Sequence, residues 1–354
     1  MFPMSVTVHS QDKKKGDSLR VALKTATDTQ RVVVLHKLAY TYRMYSPDTA
    51  FYYVNQAIEL GNKLEFENGL FDAYMTKGLV FYYMSKHDSA IKYFEFARVI
   101  ADKHDDPQKQ SAIYSNIGNA YGDIGQNTKA LDYYQKGARY TELSNQPLKK
   151  AYLQVNIGTI YSVLDQHDSA IVFYENALAI MKGLDPNEEK LYIVYGNIGA
   201  SYLELGDTLK AEKAFRESYR IALMYDNQRA LASSYDHLGV IEFSKGHIDT
   251  AMSYYWRSLS ISELIGAGQS ISETCSHIGY LYHHEKQYDS AAYYLNKGLA
   301  VAIAIQDYYT LDNYYEELAG VYEDQGKLDS ALFYQKKLQQ VRDTLFNMNK
   351  SNIV

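Results

Sequence analysis

Apolar and aromatic positions along this chain recur at spacings of three and four residues, which is the pattern of amphipathic helices. The segment from Ala170 to Ala177, with the sequence AIVFYENA, is typical of them. Short polar stretches containing Gly, Asp or Ser separate successive segments, and these residues favour turns and helix ends. The pattern predicts an all-α chain built from units of helix, tight turn and helix.

The units follow a regular repeat whose period is close to 40 residues. A small residue occupies the same place in every unit, and neighbouring copies are 39 to 41 residues apart: Ala39, Gly78, Gly118, Gly158, Gly199, Gly239, Gly279 and Ala319. Eight units on one period account for nearly the whole chain. The sequence therefore predicts a tandem array in which each unit packs on its neighbours.

Two further positions of each unit indicate how its helices pack. An aromatic residue stands three residues after the small residue in seven of the eight units, and Glu242 takes this place in the sixth. An Ala stands twelve residues after the small residue, or eleven in the first unit: Ala50, Ala90, Ala130, Ala170, Ala211, Ala251, Ala291 and Ala331. We expect this Ala where the two helices cross closely, because a larger side chain would force them apart.

The turn between the two helices has its own signature. A Gly precedes it in four units, at Gly125, Gly206, Gly246 and Gly326, and we expect this Gly to end the first helix in a left-handed conformation. Asp-Ser-Ala or Asp-Thr-Ala follows in six units, with Asp at 48, 88, 168, 249, 289 and 329. This Asp is predicted to be the N-cap of the second helix.

Composition and charge argue against several classes of function. The net charge of −6 provides no basic surface for nucleic acid, and no apolar run is long enough to span a membrane. Cys275 is the only Cys, which excludes an intrachain disulfide. No Gly-rich phosphate loop, HExxH or GxSxG motif is present, so we expect no catalysis and no cofactor. Tyr is unusually frequent, at 36 of 354 residues, and suits both helix packing and a wet binding groove.

The ends of the chain differ from the array. Residues 1–17 are predicted to be an N-terminal tail, in which the mildly apolar stretch before Gln11 is either the remnant of a secretory signal peptide or an untethered terminus. Residues 18–342 are predicted to form the repeat array. Residues 343–354 are expected to be a C-terminal tail or the start of a linker.

The repeat resembles the tetratricopeptide repeat, or TPR. Its small residue, the aromatic three residues later, the Ala twelve residues later and the closing Pro correspond to the family signature, most closely from Asn116 to Gln135. The period of 40 exceeds the usual 34, and Tyr114 stands where the family usually has Trp. The resemblance implies a right-handed superhelical solenoid of about eight helix hairpins that binds a peptide or protein.

Long repeats with this Asp-Ser/Thr-Ala turn resemble the sensor regions of bacterial histidine kinases and helix-turn-helix regulators. That resemblance implies a ligand-sensing region outside the cytoplasm, in the periplasm or beyond, followed by an output domain. A free-standing adaptor in the cytoplasm is the alternative. A cytoplasmic quorum-peptide receptor is disfavoured, because the residues before the first unit are too few for an N-terminal output domain.

In the TPR family, the fifth, ninth, twelfth and thirteenth positions of the first helix line the ligand groove. Carried over to this sequence, they include His36, Tyr40, Arg43, Tyr82, Tyr83, Asn119, Asp123, Asp236, Phe243, Tyr280, His283 and His284. This set is aromatic and polar, which suits an extended peptide. His283 and His284 are not expected to bind a metal, because neighbouring residues of a helix point about 100° apart. The sequence is also compatible with a homodimer that forms through the groove or through an end of the array.

Overall fold

The computed structural model describes residues 15–185, 188–305 and 307–351. Within these ranges the chain forms seventeen helices and no strand, which confirms the all-α prediction. The proposed signal remnant before Gln11, Pro186 and the last three residues lie outside the described residues. None of the described helices has both the length and the apolar content needed to cross a bilayer.

The helices follow one another with short connections. The first helix, α1, covers residues 15–25. The others are α2 (Asp28–Tyr42), α3 (Pro47–Lys63), α4 (Glu67–Tyr83), α5 (His87–Lys103), α6 (Pro107–Asp123), α7 (Asn127–Leu143), α8 (Pro147–Val163), α9 (His167–Leu184), α10 (Leu191–Glu204), α11 (Thr208–Met224), α12 (Gln228–Ser244), α13 (Ile248–Ile265), α14 (Gly268–His284), α15 (Tyr288–Ile305), α16 (Tyr308–Asp324) and α17 (Leu328–Ser351). The even-numbered helices from α2 onward are the first helices of the eight repeats, and the odd-numbered ones are the second.

The period of 40 follows from these lengths. A 17-residue first helix, a 17-residue second helix and two three-residue connections make one repeat, as from α6 to the start of α8. The two helices of this repeat therefore have equal lengths. The final helix, α17, is longer, with 24 residues.

The structure divides into two compact units between Leu164 and Asp165. Unit 1 contains α1 to α8, and residues Leu19 and Leu23 of α1 pack against the core formed by α2, α3 and α4. Unit 2 contains α9 to α17. In both units, consecutive helices pack against each other as antiparallel neighbours.

The first helices also pack against each other within each unit. In unit 1 these contacts join α2 to α4 and α6 to α8, and in unit 2 they join α10, α12, α14 and α16 in order. No pair of second helices makes a comparable contact within the described ranges. We therefore call the solvent-facing side of the first helices the inner face of each unit.

Left-handed residues end the first helices, as predicted. Gly125, Gly206, Gly246 and Gly326 all have φ between 72° and 78°. After Gly125 the chain closes the helix with two hydrogen bonds, from Gly125 N to Gly122 O at 2.9 Å and from Gln126 N to Tyr121 O at 2.9 Å. This is the Schellman arrangement, which satisfies the last carbonyls of a helix. Three repeats place a residue other than glycine there: Ser85, Asp165 and Lys286.

Exchanging residues at this position should therefore change stability in opposite directions. Gly125→Ala is expected to lower the free energy of unfolding by about 1 kcal/mol, because L-residues are strained in the left-handed region. Lys286→Gly is expected to raise it by about 0.5 kcal/mol for the same reason. Gly183→Ala in α9, where nothing lies within 4 Å, is the matched control and should not destabilise. Urea denaturation followed by circular dichroism measures all three, and equal losses for Gly125 and Gly183 would contradict this explanation.

The Asp of the turn is not the N-cap, contrary to the sequence prediction. Helix α5 begins at His87, so Lys86 is the cap residue and Asp88 lies inside the first turn. The same offset places Asp48, Asp168 and Asp249 in the first turns of α3, α9 and α13. These carboxylates still oppose the positive helix end. Side-chain caps occur instead at Asp106, Asp207, Asn227 and Asp307.

The recurring small residue of the first helix packs against a ring of the second helix in four hairpins. A Cβ atom added to Gly78 would lie 2.4 Å from the ring of Phe94, sixteen residues later. Gly118, Gly199 and Gly239 meet Tyr134, Phe215 and Tyr255 in the same way, at 2.5 to 2.6 Å. The repeated Ala of the second helix is also buried in every repeat, as predicted.

A second set of rings explains much of the Tyr content. The aromatic three residues after the small residue stacks on an aromatic twelve residues further on. The ring pairs are Phe81–Tyr93, Tyr121–Tyr133, Tyr282–Tyr294 and Tyr322–Tyr334, with centroids 5.4 to 5.7 Å apart. Trp256, the only Trp, contacts the edge of Tyr294 at 5.3 Å. In the sixth repeat, Glu242 replaces the ring and is bonded to Lys245 and His247.

Candidate ligand-binding face

Two tyrosine rings and one arginine side chain form a cluster on the inner face of unit 1. The guanidinium of Arg43 lies 3.7 Å from the ring centroid of Tyr40 and 5.6 Å from that of Tyr83. These two rings are 43% and 44% exposed. Arg43 also donates a hydrogen bond to the carbonyl of Tyr40 at 2.6 Å, which fixes the guanidinium at the end of α2. The group therefore joins α2 to α4 and presents two rings and a positive charge to solvent.

Polar pairs continue this face between successive helices. The Nε2 atom of His36 lies 3.7 Å from the carboxylate of Asp72 on α4. Burial lowers the pKa of His36 and outweighs the opposing effect of Asp72. Tyr82 is half-buried, and burial together with a hydrogen bond to Asp123 raises its pKa. Both pairs link one first helix to the next.

Asn119 is a junction of hydrogen bonds. Its Oδ1 accepts one from the hydroxyl of Tyr134 at 2.9 Å and one from Nδ2 of Asn156 at 3.0 Å. Asn156 lies on α8, so this second bond joins α6 to α8.

Unit 2 carries a different group on its inner face. Phe243 on α12 contacts Tyr280 and His284 on α14, with ring centroids 5.6 and 5.5 Å apart. Tyr280 is 46% exposed. His284 is also exposed and is bonded to Glu285 at 3.0 Å.

His283 points to a different set of partners from those of His284. Its Nδ1 lies 3.3 Å from Glu317 and its Nε2 lies 3.1 Å from Asp324, both on α16. The two neighbouring histidines therefore diverge, as their helical spacing predicts. Among the described residues, no three His, Cys, Asp or Glu side chains are grouped in a way that could hold a metal ion.

Asp236 does not line an open surface, although its repeat position predicts a groove residue. It is only 6% exposed and bonds to Nδ1 of His277, with Oδ1 at 3.1 Å and Oδ2 at 3.0 Å. Burial raises the pKa of Asp236, but the charge and hydrogen bond of His277, the nearby His237 and a hydrogen bond from Thr274 together outweigh burial, so the pKa lies below its ordinary value. Burial likewise lowers the pKa of His277, but the charge and hydrogen bond of Asp236 together with the charge of Glu273 outweigh burial and raise the pKa overall. The pair binds α12 to α14.

Several residues of these faces are absent from the sequence-based set. Asp72, Glu317 and Asp324 each pair with a histidine on the preceding first helix. Asp324 occupies the thirteenth position of the eighth repeat, and the same rule would have included it. Asp72 and Glu317 lie outside the four groove positions, so only the packing of the helices reveals them.

Known proteins resemble this chain in sequence over part of its length. Tetratricopeptide-repeat family profiles match residues 111–142 and the overlapping segments 150–224 and 190–264. No curated protein matches the sequence significantly.

Solved structures resemble the chain over most of its length. A Rap protein complexed with Competence and Sporulation Factor has a TM-score of 0.68 at 14% identity, covering 96% of this chain and 94% of that one. The apo form of the quorum sensor NprR from B. thuringiensis has a TM-score of 0.67 at 14% identity, covering 96% of both chains. The Rap conjugation gene regulator of plasmid pLS20, in complex with the Phr* peptide, has a TM-score of 0.60 at 16% identity, covering 96% and 93%.

At these identities the structural likeness establishes the fold alone. It agrees with the helix hairpins, the repeat spacing and the family matches. The chain therefore contains tetratricopeptide repeats, in a longer form with a period near 40 residues.

Proposed function

We propose that this protein is a non-catalytic module that binds an extended peptide on the inner faces of its first helices. The observation that carries the proposal is the exposure of Tyr40, Tyr83 and Tyr280 there. The repeated aromatics Phe81, Tyr121, Tyr282 and Tyr322 stack on rings of the second helices. By contrast, these three rings are nearly half open to water. Exposed rings beside fixed polar groups are typical of surfaces that recognise peptides.

The polar groups beside these rings suit the chemistry of a peptide. Arg43 can pair with a carboxylate, and the amide nitrogen of Asn119 can donate to a peptide carbonyl. His284 offers a further ring and a hydrogen-bonding nitrogen next to Tyr280. Each unit therefore provides its own combination of apolar area and hydrogen-bonding groups.

We further propose that binding serves sensing, as in the ligand-sensing region of a bacterial signalling receptor. Support comes from the proteins with a similar fold: one Rap structure contains Competence and Sporulation Factor, another contains the Phr* peptide, and NprR is a quorum sensor. The sensing role and the peptide ligand are inferences for this chain, since the similarity covers the fold only.

An adaptor that binds a folded protein is the alternative. It is favoured by exposed aromatics on the second helices, where Tyr52, Trp256 and Tyr293 are open to solvent. The native gene on both sides of this chain separates the two roles. A reading frame that continues into a membrane helix and a kinase or DNA-binding domain favours the extracytoplasmic sensor. A stop codon directly after Val354, with no signal sequence upstream, favours the cytoplasmic adaptor.

Substituting the inner-face tyrosines should weaken peptide binding selectively. Peptides recovered on the full chain from a displayed random heptapeptide library are labelled and titrated by fluorescence polarisation. Tyr40→Ala, Tyr83→Ala or Tyr280→Ala is expected to raise the Kd about tenfold, the effect of losing roughly 1.4 kcal/mol at an aromatic anchor. Each peptide is tested against all three variants, because Tyr40 and Tyr83 lie in unit 1 whereas Tyr280 lies in unit 2.

Tyr52→Ala is the matched control, because Tyr52 is a 64% exposed tyrosine on the second helix α3. Its Kd should equal that of the unmodified chain. If Tyr52→Ala weakens binding and the three inner-face variants do not, the ligand lies on the second helices and the proposal is wrong.

A further inference from the structure

Arg43 is a cation on the inner face of unit 1 that no described carboxylate neutralises. Its Nη1 donates to the carbonyl of Tyr40, and its other described contacts are the rings of Tyr40 and Tyr83. The Nε atom is buried and has no acceptor among the described residues. A guanidinium carries five N–H donors, so most of its hydrogen-bonding capacity is unused.

Two arginines of the second helices show the usual pairing. Arg98 on α5 bonds to Glu95 at 2.7 Å, and Arg216 on α11 bonds to Glu212 at 2.7 Å. In each case a carboxylate of the same helix balances the charge of the guanidinium. Arg43 has no such partner among the described residues, so its positive charge remains on the face that we propose for binding.

The carboxylates that α4 and α6 bring to this face are held by other groups. Asp72 on α4 lies 3.7 Å from Nε2 of His36. Asp123 on α6 accepts a hydrogen bond from Tyr82 and lies 3.9 Å from Nδ1 of His87. Neither carboxylate is a described partner of the guanidinium, so unit 1 supplies it with no counterion there.

Contact with two exposed rings holds the guanidinium in place. Tyr40 belongs to α2 and Tyr83 to α4, and both ring centroids lie within the range of a cation–π interaction. A stacked guanidinium keeps in-plane N–H groups available to a planar carboxylate. Because the side chain is already ordered, an ion pair formed here loses little rotamer freedom.

The place of Arg43 in the repeat indicates which part of a peptide would reach it. Tyr40 and Asn119 occupy the same repeat position in α2 and α6, and Arg43 lies three residues beyond Tyr40, at the end of its helix. Three residues correspond to about 4.5 Å along a helix. A peptide main chain that passes over Tyr40 and Asn119 would therefore reach Arg43 with a side chain.

We propose that the inner face of unit 1 selects peptides that carry an Asp or Glu side chain, whose carboxylate pairs with Arg43 while its methylene groups contact the rings of Tyr40 and Tyr83. The inference rests on the proposed function, since it names the chemistry of the ligand at that face. The carboxylate supplies the counterion that the described part of unit 1 does not provide.

The test uses the full chain and the random heptapeptide library. Asp and Glu are expected to be enriched among the recovered peptides that Tyr83→Ala weakens. One such peptide and its analogue with Asn or Gln in place of the acidic residue are synthesised with acetylated and amidated ends, and both are titrated by fluorescence polarisation. We expect the acidic peptide to bind Arg43→Gln about five- to tenfold more weakly than the unmodified chain, and the neutral analogue to bind both chains equally.

Two further variants separate charge from shape and from general effects. Arg43→Lys keeps the charge without the planar guanidinium, so its affinity for the acidic peptide should lie between those of the unmodified chain and Arg43→Gln. Arg257→Gln is the matched control, because Arg257 is an exposed arginine on the second helix α13 that also lies beside a ring, 5.7 Å from the centroid of Tyr235. It should leave both affinities unchanged, and circular dichroism melting should show that every variant is folded.

Three results would overturn this inference and leave the proposed function standing. The first is a set of peptides that depend on Tyr83 but show no preference for Asp or Glu and bind Arg43→Gln normally. The second is an effect of Arg43→Gln that appears only when the C-terminus of the peptide is free, because the terminal carboxylate would then be the bound group. The third is a set of peptides that all depend on Tyr280 and none on Tyr40 or Tyr83. Recovery of no peptide at all would overturn both.

Discussion

Replacing Phe94 by alanine is expected to lower the free energy of unfolding by about 3–5 kcal/mol, the usual cost of removing a buried phenylalanine ring. Phe94 lies on α5, is fully buried and contacts the backbone of α4 at Gly78. Removing the ring leaves a cavity at the crossing of the two helices, where the small residues bring the backbones too close to refill it easily. Phe96→Ala on the same helix, where the ring is 44% exposed, should cost much less.

Gly78 and Phe94 should also prove strongly coupled. In the unmodified chain Gly78→Ala is expected to destabilise by about 1–3 kcal/mol, because its Cβ would overlap the ring and overpack the core. In the Phe94→Ala background the same change should stabilise by up to about 1 kcal/mol, since Ala is the better helix former.

The coupling is measured as a double-mutant cycle by urea denaturation followed by circular dichroism. If the two changes in unfolding free energy simply add in the double variant, the Phe94 ring is not the reason that position 78 requires a small residue. The same cycle at Gly118 and Tyr134 tests whether the rule holds in the next repeat, where the corresponding separation is 2.6 Å.

His277→Ala is expected to cost about 2 kcal/mol at pH 5–6, because it leaves the buried carboxylate of Asp236 without its charged partner. This loss is smaller than the loss for a fully buried ion pair, because the side chain of His277 is 39% exposed and solvent partly screens its charge. His277→Gln retains hydrogen-bonding capacity without the charge and should cost less.

The pH dependence of this loss has a definite sign. The pKa of His277 is raised on folding, so its contribution is complete below the ordinary histidine value and is lost as the pH rises through the raised value. The pKa of Asp236 is lowered, so its contribution is present above the ordinary aspartate value and is lost on acidification through the lowered one. The pair therefore stabilises most between about pH 4 and pH 6.5, the two ordinary values.

Thermal melting of the unmodified chain and His277→Ala from pH 4 to pH 9 measures this difference. It should be largest near pH 5–6 and shrink above neutrality. His237 adjoins the pair, and burial lowers its pKa, so its own titration lies below the ordinary histidine value. A difference that grows with pH would show that the pair is held by something other than charge.

The fold was predictable from the sequence because the same pattern of packing residues occurs in all eight repeats. The repeated Ala is buried in every repeat and Gly125 is left-handed, in agreement with the prediction. The N-caps were misplaced because an Asp in the first turn and an Asp at the cap look alike in a sequence. Only the start of the helix, at His87 in α5, distinguishes them.

The candidate site was harder to predict, because its geometry depends on contacts about 40 residues apart. The family rule indicated the rings at Tyr40, Tyr83 and Tyr280, and the structure shows these rings to be exposed. It could not show that Asp236 is buried beneath His277, or that His283 reaches Glu317 and Asp324. Whether a polar residue at a groove position contacts solvent or the next repeat depends on side-chain direction, which the spacing of residues does not specify.

The single Trp gives this protein an optical label in a known place. Trp256 lies in unit 2, a few ångströms from Tyr294, while the chain has 36 tyrosines spread over both units. Fluorescence excited at the red edge of the absorption band reports on the surroundings of Trp256 alone, whereas the far-ultraviolet signal averages over all helices. The two signals coincide during denaturation only if unit 1 and unit 2 lose their structure together, so the natural sequence already contains the probe needed to follow their cooperativity.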